Sequence, residues 1–563
     1  MDESDKNYKH YGYDEFINYN KYNDDIKNKY FLAAYLLYKQ FGGAKKKWTT
    51  LEHNGVLFPP EYEPHRVPVI YQGREIVLDE KSEEIATLYA KYIETDYVKN
   101  KTFNKNFWND WKKYLGDDHE IKSLEDCDFS LIYQHILDEK ERKKVTSHEE
   151  KEKRKQEEEK YKYAIVDGKK QKVGNFRVEP IGLFIGRGCN PKLGRVKRRI
   201  YPEDVTINIG REAPIPETLP GHTWGEIIHD QYVEWLASWK DDITNKLKYV
   251  WLSSQSEFKA ESDIKKFELA RKLKKKIRLI REENTKNLTS DDIFTRQIAT
   301  ALYFIDNLAL RVGNEKGEDA ADTVGVTTLK IENVKLLEDD RVLLSFLGKD
   351  SVPYKNVVKV DPIVYNNIEE FSRNKNLDDK LFDKINSNDV NKYLQTFMKN
   401  LSAKVFRTYR ASQTFQKELQ KISKKYDTYE GDDKISILLD EFNKANATVA
   451  ILCNHQKNIS KSFSEQIEKI NRQIKRLREQ LRKAKSPEKK RKIKKKIKSM
   501  KVKKQLKLQL KNISLGTSKV NYIDPRITVA FMKRHNIPID KLFPKTLQEK
   551  FSWAMDTPED YVF

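Results

Sequence analysis

Cysteine is scarce in this sequence. Cys127, Cys189 and Cys453 stand far apart in 563 residues. That odd number, with neither zinc spacing nor a disulfide framework, points to a reducing compartment. No apolar run approaches the length of a membrane span, and the N-terminus lacks the basic-then-apolar pattern of a signal peptide. The longest early apolar stretch, Phe31 to Tyr38, reads as one short helix face. A G-x-x-x-x-G-K-[ST] loop, an H-E-x-x-H pair and an EF-hand loop are all missing, so no cofactor and no metal are expected. What is abundant is positive charge, +22 in formal net terms. Such a balance suits a polyanionic partner or a charged membrane surface. Aromatic residues make up 11% of the chain, too many for a mostly disordered protein.

Residues 1–44 are rich in Tyr, Asn, Lys and Asp without a regular pattern and read as a flexible tail. A mixed α/β region is expected over 45–262, announced by Trp48, the Pro59-Pro60 turn and the strand-like VPVIYQGREIVL. Within it, Ser147 to Ala164 has Ser147 as an N-cap and charge on nearly every face, the pattern of an exposed bridging helix. A mostly helical region is expected over 263–456. Phe294, Ile298, Leu302, Ile305 and Leu308 keep helical spacing there, with Gly313 as the C′ stop. β-type residues from Thr327 to Val360 are broken by turns at Glu338-Asp339-Asp340 and Gly348-Lys349-Asp350. Helical patterning returns at Asp389–Arg410 and Lys434–His455. Residues 457–511 differ in kind, with 23 Lys and Arg against 4 Glu, so that +19 of the +22 lies here. Ile467, Ile470, Ile474, Leu477, Leu481 and Ala484 alternate three- and four-residue steps, as in a coiled-coil seam. Ser486-Pro487-Glu488 starts a second helix, with a weaker seam of Ile493, Ile497 and Met500. The simplest arrangement is a projecting antiparallel hairpin, followed by a small docked C-terminal domain over 512–563.

Several residues at element ends could carry chemistry. Arg311 ends the helix ALYFIDNLALRVGNEK, Lys349 sits at the hairpin tip FLGKDS, Arg407 lies in AKVFRTYRAS, and His455 ends AILCNHQ. Tyr522, one of 29 tyrosines, stands in TSKVNYIDPR. Each has an ordinary explanation. Arg311 and His455 could complement helix C-terminal dipoles. Lys349 could be a solvated turn lysine, Arg407 a surface ion-pair partner and Tyr522 a packed phenol. Spacing alone does not bring them together.

Longer stretches do. WTTLEHNGVLFPPEYEPH, NFRVEPIGLFIGRGCNPKLGRVKRRIYPEDV, FTRQIATALYFIDNLALRVGNEK, FLGKDS, AKVFRTYRAS, AILCNHQ and LGTSKVNYIDPRITVAF occur in one order. Together they resemble the eukaryotic type IB DNA topoisomerases, from about Lys47 to Phe563. The resemblance implies an ATP-independent enzyme that relaxes positive and negative supercoils. Tyr522 would attack a DNA phosphodiester, become linked to the 3′ end, and later release it by the reverse step. Such a transfer needs a phenol in line with phosphorus, fixed donors on the phosphorane oxygens and a proton for the departing 5′ oxygen. By the resemblance Arg311, Arg407 and His455 supply the donors and Lys349 the proton. Arginine suits the oxyanion role, since its planar fork stays charged and donates twice.

Further positions follow with the family. Arg187, Lys192, Lys197, Arg198 and Arg199 match a segment that approaches duplex DNA, and Arg187, Asp350 and Asn521 match positions lining an inhibitor pocket. Ile185, Asn190 and Arg410 depart from residues frequent in relatives, which touches fine DNA contacts and inhibitor response. The implied fold is α+β with a predominantly helical catalytic half, closing as a bilobed clamp around DNA with the coiled-coil hairpin projecting. Residues 45–262 would form core subdomains I and II. The partner would be supercoiled double-stranded DNA, met by a monomer in the nucleus, with import through runs such as Lys489-Lys490-Arg491-Lys492. Tyrosine recombinases use a similar residue set, but their connection from the histidine to the tyrosine is generally much shorter than the 67 residues here. A non-catalytic DNA-binding scaffold would not need all five residues intact.

Overall fold

The computed structural model describes residues 46–144, 148–186, 190–315, 323–457, 459 and 462–563. The 1–44 tail, the Ser147 cap and Arg187 therefore lie outside the described residues. The fold is α+β. Five small sheets occur among the described residues, and helices dominate from Glu257 onward.

Two cores organise the first half. Trp111, Phe103 and Phe107, fully buried, pack with Ile85, Ile132 and Leu193. Val205, Ile207, Ala237 and Val250 centre the other, which is built on a four-stranded sheet. In that sheet Thr206–Asn208 pairs parallel to Glu226–Ile228 and antiparallel to Trp235–Lys240. VPVIYQGREIVL forms the expected hairpin, Val69–Tyr71 against Arg74–Ile76. Its two-residue turn has Gln72 at φ 48° and Gly73 at φ 79°, the positive values that a tight hairpin turn requires. The charged bridging helix covers His148–Glu159. It is shorter than its charge pattern suggested, because Tyr163–Val166 leaves it to pair with Leu51–His53. The alternation of buried Ala164 and Val166 with outward residues is a strand period that outweighs the flanking helical charges.

The helical half begins at Glu257, capped by Ser256, and its first helix runs unbroken to Asn287. The next helix, Ile293–Leu308, ends earlier than Gly313 and Arg311 suggested. Ala309 takes the left-handed conformation at φ 50° and closes it. Gly313 serves close packing instead. At φ 92° it lies against Gly325, where a Cβ would fall within 2.9 Å of backbone atoms. Strands Val334–Leu337, Arg341–Gly348 and Val352–Lys359 form one antiparallel sheet. Its first turn carries both Asp339 and Asp340 at positive φ, 59° and 56°. The helical pattern expected from Asp389 to Arg410 is two helices, Ser387–Phe397 and Ala403–Tyr426. Between them Leu401 is fully buried in the bend. The same large core takes in Phe304, Phe406, Phe415 and Phe442 together with Phe531, Phe543 and Phe551 of the last fifty residues.

In the basic segment, helices Phe463–Lys483 and Pro487–Gln509 pack on one another. Ile470, Ile474, Ala484, Ile493 and Ile497 are buried between them, with Leu477, Leu481 and Met500 at the margin. These are the seam positions read from the sequence. Ile467 is not part of that buried cluster.

Candidate active site

Arg407 is the hub. It lies in the first turns of the Ala403–Tyr426 helix and is 5% exposed. Its two terminal nitrogens donate to backbone carbonyls, Nη1 to Ala309 and Nη2 to Cys453 at 2.9 Å. Ala309 precedes Arg311 by two residues and Cys453 precedes His455 by two. One planar fork thus pins the ends of two helices, each just ahead of another candidate residue. The guanidinium carbon also stands 5.1 Å from the centre of the Tyr522 ring.

His455 is placed by the way its helix stops. Lys434–Leu452 ends with Asn454 left-handed at φ 52°. The His455 N–H donates to Ala450 O at 2.8 Å and the Asn454 N–H to Ile451 O at 3.0 Å. This pairing is a Schellman ending, which asparagine permits without a glycine. The imidazole therefore turns inward, 7% exposed, with its ring centre 5.0 Å from that of Tyr522. Nδ1 lies 2.7 Å from Ser518 Oγ. Burial, then the charges of Arg407 and Arg311, push its pKa down to about 3, so the ring is neutral near pH 7.

Tyr522 follows the short helix Leu515–Asn521 and is itself buried. Its N–H and that of Ile523 both donate to Ser518 O, at 3.0 Å each. Ser412, one turn beyond Arg407 on the same helix, donates to Tyr522 O at 3.1 Å and accepts from the Asp524 N–H at 3.0 Å. Asp524 then caps the Pro525–Arg534 helix and holds Arg526, which reaches Glu268 at 2.6 Å. Burial alone would raise the phenol pKa. Arg407 and Arg311 more than offset it by charge and polar contact, so the net direction is down.

Arg311 is exposed beyond the Ala309 turn, and its carbonyl accepts from Val326 N–H at 2.9 Å. Val324 N–H donates to Leu347 O at 2.7 Å, two residues before Lys349. Lys349 occupies the tip between Arg341–Gly348 and Val352–Lys359, exposed as expected, with Asp350 and Ser351 at φ 68° and 54°. Asn454 and Gln456 side chains donate to Pro353 O at 3.2 and 3.0 Å. The tip is thus tied on one side to the Arg311 segment and on the other to the His455 segment. Asn521 is exposed beside Tyr522.

Two buried nitrogens, Arg407 Nε and His455 Nε2, have no hydrogen-bond partner among the described residues. A buried polar nitrogen left unpaired costs about 1–3 kcal/mol, so such groups beside one phenol leave room for a polar partner from outside. Donors converging on a nucleophile of lowered pKa form a cradle for an anionic, oxygen-rich group such as a phosphate.

The candidates on the Arg187 segment sit elsewhere and already have partners. Lys192 Nζ donates to Ile243 O at 2.8 Å. Lys197 meets Glu179 at 2.5 Å, Arg198 forks onto Asp204 at 2.8 and 2.7 Å, and Arg199 meets Glu84 at 2.7 Å. Their loop is fastened by Asn106 to the Pro191 and Leu193 carbonyls and by Gly194, whose missing Cβ lets it lie on Phe103. Ile185 packs at the edge of the aromatic core and Arg410 Nη2 donates to Asn307 O at 3.3 Å. Sequence reasoning missed Ser412 and Ser518. Nothing in their spacing marks them, because each acts across more than 60 residues of chain. Asp524 before Pro525 did carry a local sign, an N-cap followed by a helix-starting proline.

A site of this kind defines the chain as a candidate phosphate-binding protein built around a tyrosine. Family models narrow it. "Eukaryotic DNA topoisomerase I, DNA binding fragment" matches residues 46–252 and "Eukaryotic DNA topoisomerase I, catalytic core" matches 255–488. "C-terminal topoisomerase domain" matches 494–563. DNA topoisomerase 1 beta of Arabidopsis thaliana is 47% identical across 93% of this chain and 60% of its own length. DNA topoisomerase 1 of Schizosaccharomyces pombe is 43% identical over 92% of this chain and 76% of its own. DNA topoisomerase 1 of Homo sapiens is 42% identical over 92% and 72%. The chain belongs to the eukaryotic DNA topoisomerase I family, and it spans 60% of the length of the plant relatives.

Proposed function

We propose that the chain is a type IB DNA topoisomerase that relaxes positive and negative supercoils without ATP. The observation that carries this reading is the convergence on Tyr522 of Arg407, Arg311 and His455, with Arg407 Nε and His455 Nε2 unpaired beside it. With its pKa lowered by Arg407 and Arg311, the phenol releases its proton to solvent, and its oxygen attacks phosphorus, forming a 3′-phosphotyrosyl bond and breaking the bond to the 5′ oxygen. Arg311, Arg407 and the His455 N–H hold the non-bridging oxygens as charge builds on them. Lys349, at the exposed end of a two-stranded tip, hands a proton to the departing 5′ oxygen and recovers it on resealing. The phosphotyrosyl bond stores the energy of the broken ester, so strand rotation and religation need no nucleotide.

Around this site, the N-terminal half and the helical half act as a bilobed clamp on duplex DNA, with the basic pair of helices as a coiled-coil arm beside it. Lys192, Lys197, Arg198 and Arg199 then meet phosphates by exchanging their present partners, at a cost that limits each contribution. Arg187 joins them, and with Asp350 and Asn521 borders an inhibitor pocket at the cleaved end. The protein works as a nuclear monomer. The test is relaxation of both supercoil signs in EDTA without nucleotide, with denaturant trapping of the nicked product. Protein on the 3′ end in wild type and none in Tyr522→Phe supports the reading. Attachment at the 5′ end, or a strict need for ATP, refutes it.

A further inference from the structure

Ser518 is wholly buried, and its hydroxyl oxygen is 2.7 Å from His455 Nδ1. A neutral imidazole carries one N–H, and the partner of one nitrogen decides whether the other bears it. A hydroxyl can donate or accept, so either tautomer could satisfy this contact alone. The two tautomers differ at Nε2, which is buried with no partner among the described residues. With Ser518 donating to Nδ1, Nε2 presents a hydrogen. In the reverse arrangement Nε2 presents a lone pair, which would repel the anionic oxygen that the neighbouring guanidinium favours.

Ser518 is also held firmly in place beside the ring. Its carbonyl accepts the N–H groups of Tyr522 and Ile523, and four residues earlier the Ser514 N–H donates to His455 O at 2.8 Å. The short segment is thus fastened both to the nucleophile's backbone and to that of the histidine. We propose that Ser518 is a positioning residue that holds His455 in its Nε2–H tautomer, so that the neutral ring donates to a phosphate oxygen. This rests on the reading of Tyr522, Arg311, Arg407 and His455 as a phosphate-transfer site.

The experiment uses the full chain labelled with 15N-histidine, with His455→Gln identifying the resonance. Wild type should show the Nε2–H tautomer at His455, and Ser518→Ala a mixture of the two. Single-turnover cleavage of a duplex oligonucleotide should fall about tenfold in Ser518→Ala, the lower end of what losing an orienting partner costs. In a His455→Gln background the same change should alter cleavage by less than about twofold, since the ring it orients is gone. If thermal melting shows that Ser518→Ala does not fold, Ser518→Cys keeps the size and weakens the donor, and carries the same cycle. An Nδ1–H tautomer in wild type, an unchanged tautomer in the variant, or an equal slowing in both backgrounds overturns the proposal. His455→Gln cleaving at the wild-type rate would instead defeat the underlying site, whereas a slow His455→Gln beside an unaffected Ser518→Ala defeats only the positioning role.

Discussion

Replacing Arg407 with lysine keeps the charge and removes the fork, and so separates two jobs of one side chain. The guanidinium donates to the Ala309 and Cys453 carbonyls while its Nε stays unpaired beside Tyr522. A single ammonium at the end of an unbranched stem cannot reach both carbonyls and a phosphate oxygen together. One buried carbonyl left without its donor costs about 1–3 kcal/mol, against roughly 5–15 kcal/mol for a typical domain. The variant should therefore fold but unfold at lower denaturant. The chemical loss is larger: one missing oxyanion donor is worth about 2.7–4 kcal/mol, or roughly 100- to 1000-fold in rate. The assay is single-turnover cleavage of a duplex whose short cleaved strand diffuses away, so that religation cannot mask the step. Binding of the same duplex should change only a few-fold. Cleavage by Arg407→Lys within about threefold of wild type would show that charge alone suffices and that the fork geometry is incidental.

Four other outcomes are expected. Because burial and the two arginines push His455 to about 3, the cleavage rate should show no histidine limb near pH 6.5; a limb there that vanishes in His455→Gln would refute a neutral ring. The same shift has a stability sign: the unfolded ring binds a proton below about pH 6.5 that the folded ring refuses until about 3, so this group's support is lost as pH falls through that window, which urea titrations at several pH values can read. Lys349→Ala should be slow on an ordinary substrate and largely restored on one with a 5′ sulfur leaving group, which needs little protonation; equal defects on both would remove the general-acid role. Changing Lys489, Lys490, Lys494, Lys496, Lys498 and Lys501, all exposed, to Gln should flatten the log-affinity against log-salt slope by up to about 0.9 per lost phosphate contact. Cleavage of a short saturated duplex should hold within a few-fold while plasmid relaxation becomes more distributive, and an equal fall in both would place the arm in the chemistry.

Some helix ends differ from what the sequence predicts, for a common reason. Gly313 is an obvious stop signal, but Ala309 takes the left-handed turn, because Arg407 holds the Ala309 carbonyl and offsets a conformation that alanine does not favour. The break at Leu401 is likewise set by burial of that side chain and not by a glycine or proline. By contrast, the basic helices kept their seam, since Ile470, Ile474, Ile493 and Ile497 recur at a period that only a helix pairing can bury.

The sequence by itself determined what depends on neighbours in the chain. The excess of positive charge over 457–511, the helix-starting Ser486-Pro487 and the Asp339-Asp340 turn all act within a few residues. The candidate residues could be joined through resemblance alone, and the contacts that hold them together are not written in their spacing. Only the tertiary structure decided that Arg407 spans 98 residues to Ala309 and 46 to Cys453, or that Ser412 reaches 110 to Tyr522. It also decided that Lys197, Arg198 and Arg199 spend their charge on Glu179, Asp204 and Glu84. Such pairings follow from how separate helices and strands bury their apolar faces together, and a polar group's partner is whichever one that packing leaves within reach.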